Sequence, residues 1–219
     1  RENRLNSQSS KSPKVTVITK NMASYITHEN FLALEAISSA TIWSVRDPHV
    51  QMASLLIRMA NDIAVETGAD AISQDGLGPY IDDVARLLED GPLSTNFSRT
   101  GWASIIDLYH TRINPDKSIV VDGAMLTQNP QAILKEIVAV AGLEYSDSMA
   151  QGWQNDYTNV NIGSSKFDNR TNAWTKDAAN ATGFTRIDRR PLDLESLPDS
   201  LRQHITSVAI PSYSEMVAS

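Results

Sequence analysis

A chain of 219 residues with 41% hydrophobic, 21% charged and 6% aromatic residues has the length of one globular domain, and its composition excludes a disordered chain or a fibre. Its 19 Lys plus Arg against 26 Asp plus Glu leave a formal charge of −7, which excludes a general attraction to nucleic acid or anionic lipid, so any bound anion must be held by a local cationic pocket. With no cysteine there are no disulfides, thiolate metal sites or cysteine nucleophile, and four scattered histidines without an HExxH pattern argue against a zinc site. No apolar run approaches the roughly 18 residues of a membrane span. The polar, Ser-rich residues 1–14 (RENRLNSQSSKSPK) carry no legible signal peptide, so the expectation is a cytoplasmic protein.

Along the chain, short apolar strands alternate with amphipathic helices. Residues 14–19 (KVTVIT) are rich in β-branched side chains and predict a first strand, ending at Lys20. Residues 30–38 predict a helix, and residues 41–45 (TIWSV) a second strand that runs into Arg46, Asp47 and Pro48. Asp47 is a natural N-cap and Pro48 a natural first helical residue; the stripe of Leu55, Leu56, Met59, Ala60, Ile63 and Ala64 then predicts a long amphipathic helix. Residues 80–90 and 101–112 predict two more helices, and residues 118–121 (SIVV) a third strand. The next helix is framed by Asn129 as N-cap, Pro130 at its first position and Gly142 past its end. This alternation argues for a parallel sheet with helices on both faces, a three-layer α/β fold.

From residue 151 to 190 the period fails, and isolated aromatics stand at Trp153, Tyr157, Phe167, Trp174 and Phe184. A stretch of that length and composition reads as a lid or binding loop. Residues 198–217 predict one or two short helices broken by Pro211. The organisation expected is therefore a polar segment 1–13, an α/β core 14–150, a lid or substrate-binding region 151–190, and a helical segment 191–219 belonging to the same domain.

In such sheets ligands bind at the carboxyl ends of the strands. Three polar clusters fall there: Lys20 with Asn21, Arg46 with Asp47, and Asp122 with Gly123. The second has the parts of a phosphate receptor, because an Arg fork leaves a strand tip, a helix N-terminus follows at once, and the Ser54 hydroxyl lies about two turns along it. The competing reading is an Arg paired with Asp47 and a Ser packed in a helix.

Residues 41–56 (TIWSVRDPHVQMASLL) resemble the 3′-phosphate-binding segment of sulfotransferases that use 3′-phosphoadenosine 5′-phosphosulfate: a hydrophobic strand, Arg, Asp-Pro, then Ser eight residues after the Arg. Residues 15–22 (VTVITKNM) are similar to the strand that ends in that family's catalytic-site Lys, and residues 119–143 (IVVDGAMLTQNPQAILKEIVAVAGL) resemble a third family segment. The resemblance implies a P-loop nucleoside-triphosphatase-like sulfotransferase fold. It also implies transfer of a sulfuryl group to a hydroxyl or amine of a small-molecule or glycan acceptor, without a metal. Arg46 and Ser54 would hold the 3′-phosphate of the co-substrate and Lys20 would act on the transferring group; His28, in the loop that follows, is the candidate base beside Glu29. The loop that cradles the 5′-phosphosulfate is not found in these residues, and it and its strand are expected upstream of Arg1. The position two after Lys20, where animal-type members carry a His, is Met22. The alternatives are a nucleotide-dependent phosphotransferase on a related fold and a non-catalytic adenine-nucleotide-binding domain. Nucleic acid is not an expected partner, and a homodimer is compatible with the sequence.

Overall fold

The computed structural model describes residues 16–20, 23–68, 70, 72–90, 100–151, 183–184 and 190–219. These form a mixed α/β structure that is mostly helical. Helix α1 (His28–Ile37) starts where the Thr27 hydroxyl accepts the Asn30 N–H at 3.2 Å. Strand β1 (Thr41–Val45) leads into α2 (Pro48–Glu66); α3 (Ile81–Asp90) and α4 (Trp102–His110) follow. Strand β2 (Ser118–Asp122) runs directly into α5 (Gly123–Gln128) and α6 (Pro130–Val140). The chain closes with α7 (Asp199–His204), a π-helical turn (Ile205–Ala209) and α8 (Ile210–Val217).

β1 and β2 pair in parallel from Thr41 opposite Ser118 to Val45 opposite Asp122. The two strand tips are therefore level, and the elements that leave them start side by side. On one face of β1, Trp43 and Val45 are buried among Phe31 of α1, Trp102, Leu108 and Tyr109 of α4, and Met216 of α8. Trp43 sits 5.3 Å from the Phe31 ring and meets Tyr109 edge-on at 5.5 Å, a favourable aromatic geometry. A second core has no strand residue in it: Met52, Leu56, Val84, Leu88, Leu201 and Ile205 pack α2, α3 and α7 together. The C-terminal helices join the two cores, since Leu201 and Ile205 lie in one, and Ala209 and Met216 in the other.

Three sequence expectations need correction. Residues 16–20 form no strand: they are exposed, Val17 at 78% and Ile18 at 86%. β-Branched residues fit a strand only when a sheet edge receives them, so propensity alone does not make one. The sheet among the described residues consequently has two strands and not three. Pro211 does not break the C-terminal helix, because it falls in the first turn of α8 just after the π-helical turn, where the loss of its N–H is tolerated. The expected lid, apart from residues 151, 183, 184 and 190, lies outside the described residues, as does Met22.

The punctuation of α6 matches its expectation in detail. Asn129 accepts the Ala132 N–H at 3.4 Å. At the other end Gly142 takes φ +67°, with Leu143 N–H bonded to Val138 C=O at 2.8 Å and Gly142 N–H to Ala139 C=O at 3.1 Å, which is a Schellman ending. Glu35 of α1 is buried at 3% exposure, yet its carboxylate accepts the Ile113 N–H at 2.7 Å and the Asn114 N–H at 3.4 Å. That pair of bonds satisfies a buried acid and ties α1 to the turn entering β2.

Candidate functional site

Each strand is followed by a helix capped by an aspartate: Asp47, two residues past the end of β1, and Asp122, the last residue of β2. Asp47 Oδ1 accepts the His49 backbone N–H at 2.8 Å at the start of α2. Asp122 Oδ1 accepts the N–H groups of Ala124 at 2.6 Å and Met125 at 3.1 Å at the start of α5. The physical cause is the same in each case, a strand-tip carboxylate taking up helix N–H groups that have no partner in the preceding chain.

The caps differ in what else they hold. Asp122 Oδ2 accepts the Tyr213 hydroxyl of α8 at 2.7 Å, and the Tyr213 ring meets Trp102 edge-on at 6.2 Å. Burial first, then the Asp122 hydrogen bond and the charges of Asp122 and Asp47, push the Tyr213 hydroxyl well above its ordinary value. The phenol is therefore a neutral donor. Asp47 instead holds the ring of His49, with Nδ1 at 3.1 Å from Oδ1. The Arg46 side chain has no ion pair or hydrogen bond to any described residue.

The first turn of α2 is fixed by a polar chain that crosses to α4. Trp102 Nε1–H donates to Gln51 Oε1 at 2.6 Å, and the Gln51 amide donates to Thr100 C=O at 3.0 Å. The Thr100 hydroxyl in turn lies 2.9 Å from His204 Nε2 of α7. Burial pulls the His204 imidazole below its usual value, so it is held neutral inside the protein.

Arg46 lies between β1 and α2, and Ser54 sits within α2, partly buried, with its hydroxyl donating to Val50 C=O at 3.0 Å in its own helix. Lys20 stands in the exposed stretch 16–20, outside any element. His28 opens α1, and its Nδ1 lies 3.9 Å from Asp107 Oδ2 of α4. Three residues of the junction went unmarked in the sequence reading: His49, Gln51 and Tyr213. His49 was findable from the Asp-Pro-His order, since a capping Asp reaches the residue two positions on. Tyr213 lies 91 residues from Asp122 and leaves no local signal.

Beside the junction a cavity of about 520 Å³ runs along β2 and reaches its tip, lined among others by Ile119, Val121, Asp122, Met125, Arg112 and Glu136. Its lining mixes apolar and charged side chains. Comparison with known proteins returns no matching family model, curated protein or solved structure. No helix of the described residues is long and apolar enough to cross a membrane.

Proposed function

We propose that the chain is a sulfotransferase that takes the sulfuryl group of 3′-phosphoadenosine 5′-phosphosulfate to a hydroxyl, or an amine, of a small-molecule acceptor. The observation that carries this reading is the state of Arg46. It leaves the tip of β1 directly before the N-terminus of a 19-residue helix, and it has no carboxylate partner among the described residues although Asp47 is its neighbour. A guanidinium in that position, in a chain of net charge −7, supplies the local cation that a phosphate needs. The resemblance of residues 41–56 names the phosphate as the 3′-phosphate of the co-substrate, with Ser54 as a further donor once its hydroxyl leaves the Val50 carbonyl.

Sulfuryl transfer needs little covalent help from the protein. The acceptor oxygen forms a bond to sulfur as the bond from sulfur to the 5′-phosphate oxygen breaks, and catalysis consists of alignment and of cations near the oxygens where charge grows. Lys20 takes that second role in this reading, on the strength of its match to the family's Lys.

The test is a thermal-shift titration with 3′-phosphoadenosine 5′-phosphate against ATP with magnesium. At about 100 times its dissociation constant a specific ligand adds about 2.7 kcal/mol of stability. Arg46→Ala is expected to weaken bisphosphate binding by about 1.5–3 kcal/mol, roughly 10- to 150-fold, and Ser54→Ala by about 0.5–1.5 kcal/mol. Stabilisation by ATP alone, or bisphosphate binding indifferent to Arg46, would overturn the proposal.

A further inference from the structure

Residues 16–20 (TVITK) are rich in β-branched side chains, yet they belong to no element, and Val17 and Ile18 stand in solvent. Strand β1 pairs only with β2, so among the described residues its other edge leaves backbone N–H and C=O groups without a backbone partner. An unpaired edge of that kind is a template for one more strand.

The path of the chain selects the edge. Helix α1 lies on the Trp43 and Val45 face of β1, with Phe31 against Trp43. It runs back against the strands, because Glu35 in its last turn bonds the turn entering β2 and residues 38–40 join it to β1. The connection from β1 to β2 returns through α4 on the same face, where Trp102, Leu108 and Tyr109 meet Trp43 and Val45. Crossovers between parallel strands are right-handed in nearly all proteins, and two right-handed crossovers over one face step in the same direction across the sheet. With β2 on one side of β1, a parallel strand preceding α1 falls on the other side, at the unpaired edge. Residues 21–27, which can span roughly 20 Å, link it to α1.

Charge and burial set the register. Lys20 is the segment's one charge and has to clear the sheet, which puts it level with Arg46, just past β1. Val17 then stands opposite Trp43 and Thr19 opposite Val45 on the α1 face, and Ile18 stands opposite Ser44 on the other. A slip of one residue would turn Val17 to the face where Ile42 and Ser44 are exposed.

We infer that residues 16–20 dock as a third, parallel strand on the free edge of β1, giving the order 16–20, β1, β2. Docking covers Val17 with α1, pairs the free edge, and carries Lys20 to the strand-tip end one strand from Arg46, with about 5 Å between neighbouring strands. Neither the segment nor the edge depends on the sulfotransferase reading, in which docking is the step that brings Lys20 toward Arg46.

The chain has no cysteine, so one disulfide can be placed without rivals. In the full chain, Ile18→Cys with Ser44→Cys should close within one molecule on mild oxidation, since adjacent strands hold paired Cα atoms in the range a disulfide spans. Ile18→Cys with Ile119→Cys should stay reduced. Closure to position 119, which would put the segment on β2, disulfides only between two molecules, or no closure at all would overturn the inference. Hydrogen exchange on the wild type needs no substitution: the amides of residues 17–20 should exchange at least about tenfold more slowly than in the isolated peptide. Val17→Asp should restore the peptide rates while exchange in α6 stays unchanged. Peptide-rate exchange in the wild type, or protection that survives Val17→Asp, would equally overturn it.

Discussion

The two strand tips lie opposite one another, Val45 beside Asp122, and each delivers an aspartate to a helix N-terminus. One is closed and the other is open. At β2 the carboxylate is shared between two helix N–H groups and the Tyr213 hydroxyl, so α8 is fastened over it. At β1 the carboxylate is shared between one N–H and the imidazole of His49, and the adjacent Arg46 has no partner among the described residues. The same local motif thus fastens a distant helix at one tip and, at the other, holds a local imidazole beside an arginine with no partner among the described residues. The difference arises because a distant element reaches the first tip and a local side chain fills the second.

The largest effect that would test this contrast is on stability. Asp122→Ala should lose a helix cap worth about 1 kcal/mol and a charged hydrogen bond worth about 1.5–3 kcal/mol, together about 2.5–4 kcal/mol, whereas Asp47→Ala should lose about 1 kcal/mol for the cap. Urea unfolding of the two variants measures the difference, and equal losses would show the tips to be equivalent.

Tyr213→Phe isolates the fastening itself, because the ring stays against Trp102 while the hydroxyl goes. A loss of about 1–2 kcal/mol at neutral pH is expected, the low end for a bond to a charged group at a part-buried site. The sign of its pH dependence follows from the raised value of the phenol. Its contribution is fully present below the unfolded tyrosine value of 10.0 and is lost as pH rises toward the folded value, because only the unfolded state releases the proton first. Stability measured between neutral pH and strong alkali should therefore fall less steeply in Tyr213→Phe than in the wild type.

The smallest effect concerns the polar chain that steadies the first turn of α2. Burial lowers the His204 value, so its neutral form contributes stability above the unfolded value of 6.5 that is lost as pH falls toward the folded one. His204→Gln should flatten the loss of stability on the acid side. An unchanged acid limb would show that another group controls it.

Much of the junction was legible without a fold. Asp47 and Pro48 at the head of α2, and Asn129, Pro130 and Gly142 around α6, encode their elements through contacts within a few residues, so the sequence determined them by itself. Arg46 and Ser54 were marked for the same reason, their spacing along one strand and one helix. Local pattern misled where a partner was required: residues 16–20 have the composition of a strand and lie exposed, and Pro211 has the chemistry of a breaker and sits inside a helical run. Tertiary structure alone decided that Asp122 binds Tyr213 and that Gln51 bridges Trp102 and Thr100. Those outcomes depend on which surfaces the two cores press together, 49 to 104 residues apart along the chain, and no periodicity or capping rule reaches that far.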